Sequence, residues 1–515
     1  PSPGAAMNLP RRGSSFLLAG LLLWAAPALP DDTPVPPPES TPTTVQALAQ
    51  LLDPVAEDRL FRVASAGLSV VDVETGEEVY TSGSDKGYVP ASTMKVLTAA
   101  AALRALGPAY RFSTDVWTDG ELDGAGVLHG NLYVQGHGDP TLVVERLWKL
   151  MADLKVEGVQ RIEGDVVFDA SFFDDEHRLV GWDKRRDIER GPSYFATLSA
   201  LSLNFNTASI VVGPGAEVGG KARVSTETPA GSYVVIDNKV ETGPAEGRPW
   251  VTIEREVSAT STTFTVEGTV PSDAEVRRYY RTVADPTAHL MAAWQELEKV
   301  HDIKVKGKHR LGATPARAEL LLHYRSQPLV AVLMDMNKYS NNFMAEQVLK
   351  AVGAEVHGVP GTTEKGLRYV ESYLEELGVP DGDYELVNGS GLSRDAKLTP
   401  RALTAVMADM GRDLRVGREF ATSLAIAGAD GTLIRRLTED PGRVRGKTGT
   451  IDGVHCLTGY VEAADGRQYA FAFLVNKLRG GSEPAKRLHD RFLRRMFHLG
   501  ADPSDATAAT EAESR

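Results

Sequence analysis

Apolar and polar positions alternate along this chain in two rhythms, and the change from one to the other organises it. Leu68-Ser-Val-Val-Asp-Val73 and Glu78-Val79-Tyr80 flank a turn with Gly76, which predicts a β-hairpin. Pro90-Ala91 then opens an Ala-rich stretch from Ser92 to Leu106 that Gly107-Pro108 stops, which predicts a helix. From about 107 to 285 short period-two runs take over, such as Ser232–Ile236, Val251–Glu256 and Thr263–Val266, with one helix at Val143–Leu154. Asp285-Pro286 closes that stretch. Helical periodicity returns through Val352, over Glu364–Leu377 and over Pro400–Met410. Gly459–Glu462 and Tyr469–Val475 around Asp465-Gly466 predict a second hairpin. Glu483–Phe497 sets Leu488, Phe492, Leu493, Met496 and Phe497 on one helical face.

The expected fold is α+β, helices packed on an antiparallel sheet. One domain over 46–106 and 286–500 is split by an inserted β-rich region over 107–285, and there is no tandem repeat. The ends read differently. Arg11-Arg12, the 11-residue apolar run Phe16–Ala26 and Ala26-Pro27-Ala28 have the layout of a secretory signal peptide over 1–28. The run is too short to span a bilayer, which needs about 20 residues, so no membrane span is expected after cleavage. Residues 29–45, rich in proline, read as a linker, and 501–515 as a disordered tail. The expected address is therefore outside the cytoplasm.

Composition narrows the function. With 42% hydrophobic and 24% charged residues the chain is ordinary globular protein. Lys and Arg number 56 against 69 Asp and Glu, a net charge of −13, which excludes a dedicated nucleic-acid binder. The single thiol, Cys456, excludes an intramolecular disulfide and a cysteine-built zinc site, and reads as a small buried apolar residue. Eleven histidines contain no H-E-x-x-H, and His137 sits in a Gly-His-Gly-Asp loop, so no metal is expected. Arg487, Arg491, Arg494 and Arg495 read as a solvated helix face.

Three short motifs follow one another: Ser92-Thr-Met-Lys95, Ser340-Asn341-Asn342 and Lys447-Thr-Gly-Thr450. Ser92 falls in the first turn of its helix, where the dipole favours developing negative charge by about 0.3–1 kcal/mol. Lys95, three residues on, shares its face and can take the serine proton if burial depresses its pKa. Ser340 can pass a proton to a leaving amine, and Asn342 can hold a peptide. Lys447 and Thr448 suit a terminal carboxylate. Gly449 lets the strand run close to a ligand, and the N–H groups of Ser92 and Thr450 can form an oxyanion hole. Ser202-Leu203-Asn204 also fits S-x-N but alternates with Leu201 and Phe205 like a buried strand, so it reads as structural. The ordered triple in fitting contexts points to function.

With these motifs the chain resembles the D-alanyl-D-alanine carboxypeptidase/endopeptidase family of class C low-molecular-mass penicillin-binding proteins, over about 50–500. Gly136–Leu142, Gly164–Asp169, Leu201–Asn206 and Asn388-Gly-Ser-Gly-Leu-Ser-Arg394 are similar to its secondary signatures, and the long interval before Ser340 matches its inserted domains. The resemblance implies a penicillin-binding/β-lactamase-like domain with Ser92 as nucleophile, Lys95 as base, and Ser340 and Asn342 as the second motif. It implies carboxylate recognition by Lys447 and Thr448, and contacts from Arg394 and Asp169 to the side chain of the peptide stem. It also implies a bacterial cell-wall enzyme, peptidoglycan stem peptides as substrate, β-lactams as covalent inhibitors and no cofactor. Asn388 departs from the family, which usually has Asp there. A β-lactamase or an idle binding module on the same scaffold are the competing readings, and the balance of carboxypeptidase and endopeptidase stays open.

Overall fold

The computed structural model describes residues 44–181 and 190–500. The expected signal peptide, nearly all of the expected linker and the expected tail lie outside the described residues. Six helices and six strands position the site: α1 (Thr44–Ala56), β1 (Ser65–Asp72), β2 (Glu78–Ser82), α2 (Lys95–Leu106), α3 (Leu329–Lys338), α4 (Asn342–His357), α5 (Pro400–Arg412), β3 (Ala425–Ile426), β4 (Val444–Ile451), β5 (Val454–Glu462), β6 (Gln468–Asn476) and α6 (Glu483–Phe497).

The strands form one antiparallel sheet in the order β2-β1-β6-β5-β4-β3. Its centre is apolar on both faces, as in β6, where every residue after Gln468 is buried. Period two divides that strand between two cores. Ala470, Ala472 and Leu474 face the side of α2, α4 and α5, whereas Tyr469, Phe471, Phe473 and Val475 face α1 and α6. Alanines on the first side let helices approach closely. On the other, the Phe471 and Phe473 rings meet Phe492 of α6 at 5.3 and 5.7 Å. The face predicted for α6 is the one it buries.

Helix α2 is buried from Lys95 to Leu103 and ends at Gly107, whose φ of 77° only glycine adopts without strain. Its Ala-rich sequence is that of a helix enclosed on all sides by other elements.

Between α2 and α3 the chain builds sheets of its own. A five-stranded sheet runs His309–Leu311, Val166–Asp169, Leu132–Gly136, Ser113–Thr118, Glu319–Arg325, and two three-stranded sheets lie between Thr207 and Thr282. The expected seam at 285 is displaced: residues 286–325 pair with this inserted region rather than with the β1–β6 sheet. Asp285-Pro286 is a helix start, not a boundary. The Asp285 carboxylate caps Ala288 N–H, Pro286 occupies the first turn, and the helix buries Leu290, Trp294 and Leu297 in the inserted core. The Leu201–Phe205 segment also differs from the expected strand. Leu201 and Leu203 are buried, but Asn204, Phe205 and Asn206 form a turn at φ of 50–57°. The Asn206 amide closes it on Thr197 O and Ser202 Oγ.

Candidate active site

Ser92 sits in a 3₁₀ turn, Ala91–Met94, that leads directly into α2. Thr93 Oγ1 donates back to Pro90 O at 2.7 Å and fixes the turn. Lys95 emerges one turn on, fully buried, and its ammonium reaches three acceptors: Ser92 Oγ at 2.9 Å, Asn342 Oδ1 at 2.7 Å and Ser390 O at 2.9 Å. Burial disfavours its charge and lowers its pKa to about 7, against an opposing pull from the Glu346 carboxylate.

The second motif lies between α3 and α4. Ser340 adopts φ 57°, and Asn341 caps α4 through Met344 N–H. Asn342 then begins the helix, accepting from Lys95 and donating to Tyr194 O at 2.9 Å. The third motif is on β4, where Lys447 and Gly449, two apart, share a face with Cys456 of β5, itself buried in the α2-side core. Lys447 Nζ donates to Ser340 Oγ at 2.9 Å and to Thr448 O at 2.7 Å. Burial, reinforced by Lys95, holds its pKa well below the usual lysine value. Gly449 is required by proximity: a Cβ there would stand 2.7 Å from Pro90 O and 3.1 Å from Ser92 N. Thr448 donates to Thr432 at 2.8 Å, and Thr450 Oγ1 meets His455 Nδ1 at 2.9 Å.

Two sequence-predicted residues lie elsewhere in the arrangement. Arg394 is exposed at the edge and donates to Asp452 O at 2.7 Å, tying its loop to the turn after β4. Asp169 is not brought to the site. It is buried in the inserted sheet, where Gln135 donates to its carboxylate, and hydrogen bonds from Ser171 and Thr314 hold its pKa down despite burial. The departure at Asn388 is accommodated by its amide, which donates to Val180 O and accepts Gly391 N–H, each at 2.8 Å. A carboxylate could not make the first of these bonds.

Glu346 is the residue that the sequence reading missed. Buried on α4, it accepts the N–H groups of Gly389 and Ser390 at 3.0 and 2.7 Å, and burial raises its pKa. Its signal was its spacing, four residues after Asn342 and so on the same helical face. A cleft of about 720 Å³ opens beside the second motif, with Ser340 and Asn342 on one wall and Tyr194, Phe205 and Tyr280 among the others.

A profile of the D-Ala-D-Ala carboxypeptidase 3 (S13) family matches residues 48–494. The chain belongs to this family. The S13 chain is a peptide hydrolase of the serine carboxypeptidase type. It is 34% identical over 485 residues to the D-alanyl-D-alanine carboxypeptidase of Actinomadura sp. (strain R39), a match spanning 91% of this chain and 86% of that one. Among solved structures, penicillin binding protein 4 of Haemophilus influenzae superposes with a TM-score of 0.74 at 26% identity, covering 88% of this chain and 99% of that one. The same Haemophilus protein complexed with a β-lactam gives 0.70 at 25% identity, with coverage of 88% and 100%. The S13 chain thus has the penicillin-binding α+β fold expected of it. Among the described residues no helix is long and apolar enough to cross a membrane.

Proposed function

We propose that this S13 enzyme removes the terminal D-Ala from peptidoglycan stem peptides through an acyl-enzyme on Ser92, and that penicillin acylates the same serine. The observation that carries this reading is the contact between Lys95 Nζ and Ser92 Oγ, 2.9 Å apart, with Lys95 poised near pH 7. Neutral Lys95 accepts the Ser92 proton as Oγ attacks the carbonyl carbon. The oxyanion forms against the N–H groups of Ser92 and Thr450, each donor contributing about 3–4 kcal/mol. Ser340, held by Lys447, passes a proton to the departing amine, while Lys447 and Thr448 hold the terminal carboxylate and Asn342 the peptide. Water then releases the acyl group.

Glu346 supports a peptidase over a β-lactamase: both its oxygens are committed to Gly389 and Ser390, so it is not a free base for rapid deacylation. The cleft beside Ser340, at about 720 Å³, favours a second activity as D,D-endopeptidase, because a leaving group larger than one amino acid has room there. On this reading the enzyme works in the extracytoplasmic cell-wall space of a bacterium.

Fluorescent penicillin tests it. One adduct is expected on the peptide containing Ser92, absent in Ser92→Ala and slow to be lost. Rapid loss of label would make the protein a β-lactamase, no label would make it a binding module, and an adduct on Ser340 or Ser390 would overturn the nucleophile.

A further inference from the structure

A second cavity, of about 880 Å³, lies between the short helix Arg59–Val63, the turn that follows β6 and the first turns of α6. Five cations line it (Arg59, Lys477, Arg479, Arg487 and Arg491) against one carboxylate, Asp58. Asp58 is already engaged, accepting Leu60 N–H and pairing with Arg491. Arg59, Lys477, Arg479 and Arg487 are exposed and have no ion-pair partner among the described residues. The basic face of α6 is thus divided. Arg494 pairs with Glu439 and Arg495 donates to Leu51 O, while Arg487 turns to the cavity.

In a chain of net charge −13, a hollow lined by five cations against Asp58 keeps an excess of positive charge even with Glu483 interacting with Arg487, and it attracts a shared anion. The N-terminal turn of α6 is on the same rim, and its dipole adds to the field. Leu60, Leu478 and Leu488 make part of the lining apolar, which suits an anion carrying small apolar groups. The hollow also adjoins the site. Leu478 N–H donates to Gly453 O at 2.9 Å, and Leu478 shares a smaller depression with Thr450 and Ile451 of β4.

We infer that this cavity is an exosite for the anionic peptidoglycan polymer, seating the carboxylates and alanine methyls of stem peptides next to the one being cut. The inference rests on the proposed substrate class. A polymer held at two points gains effective concentration at Ser92 that a short peptide does not.

The experiment sediments the Ser92→Ala protein with purified sacculi, with and without Arg479→Gln/Arg487→Gln. Each removed cation is expected to weaken binding about threefold at low salt, so the double variant binds about tenfold more weakly and loses part of its salt dependence, Arg59 and Lys477 keeping the rest. In the active enzyme the same pair should raise KM for sacculi and leave kcat and penicillin acylation unchanged. Lys304→Gln/Lys308→Gln removes the same charge elsewhere and should change nothing. Equal binding by both proteins, or equal loss in the control, would overturn the exosite. Sacculi stripped by acid of phosphodiester-linked polymers should still bind, and loss of binding on stripping would make the ligand a phosphate and overturn the assignment. Failure of the proposed function is read separately, as wild-type protein that neither releases D-Ala nor takes up penicillin label.

Discussion

Glu346 accepts the Ser390 N–H at 2.7 Å, and the carbonyl of the same Ser390 accepts from Lys95. A buried acid therefore bears both on the position of Lys95, the proposed base, and on the field around it. Glu346→Gln keeps most of the volume and removes the charge that pulls the Lys95 pKa upward. The acid limb of the acylation rate against pH should move below about 7. Glu346→Ala should instead cost about 1–3 kcal/mol of stability by leaving buried N–H groups unpaired. A pH profile unmoved in Glu346→Gln would separate Glu346 from the base.

The two lysines differ in what they must do. Arginine cannot deprotonate in a protein, so Lys95→Arg should lower acylation by β-lactam and peptide by about 10²–10⁴, the usual worth of a general base. Lys447→Arg should chiefly raise KM for the carboxylate-bearing substrate and keep measurable turnover at high concentration. Steady-state kinetics on both folded variants decides the ranking, and a more active Lys95→Arg would move the base elsewhere.

Burying Lys95 has a signature in stability. The unfolded chain keeps that proton up to a pKa near 10.5, while the folded protein releases it at about 7. Between those values the unfolded state binds more protons, so stability from this group rises with pH. Lys447, lowered in the same direction, adds to the slope. Denaturation midpoints measured from pH 7 to 10 should climb less in Lys95→Met than in the wild type. Parallel slopes would mean that Lys95 stays charged when folded.

Gly449→Ala tests the approach of β4 to Ser92, the proposed nucleophile. Its Cβ would press on Pro90 O and Ser92 N, both backbone atoms, so the strand must retreat. Acylation should fall about 10²-fold or more, the scale of losing one oxyanion donor, with little change in Tm. Wild-type rates would show that the strand can sit further from Ser92 without cost.

The three motifs were legible because each is a local spacing: Lys95 one turn after Ser92, Asn342 two after Ser340, Gly449 two after Lys447. The ends of α6 were legible because its apolar stripe and its helix length coincide. The Ser390 contact was not, since a backbone carbonyl leaves no mark in sequence. The seam near 325 was hidden by the short parallel pairing of Val166–Phe168 with His309–Leu311, a match between distant segments. The surroundings of Asp169 were hidden for a related reason: its hydrogen-bond partners Gln135 and Thr314 come from distant segments of the chain. Nor does alternation around Leu203 disclose three consecutive non-glycine residues at positive φ.

The placement of β6 between β1 and β5 has a consequence for when the enzyme can begin to work. A ribosome delivers the chain N-terminus first, so Ser92 and Lys95 exist long before Lys447. Until residues 468–476 arrive, β1 and β2 have no central strand to join, and a lone two-stranded hairpin is marginal in water. The sheet that carries β4 and its Lys447 is therefore completed only by its last strand, long after Ser92 and Lys95 have been made.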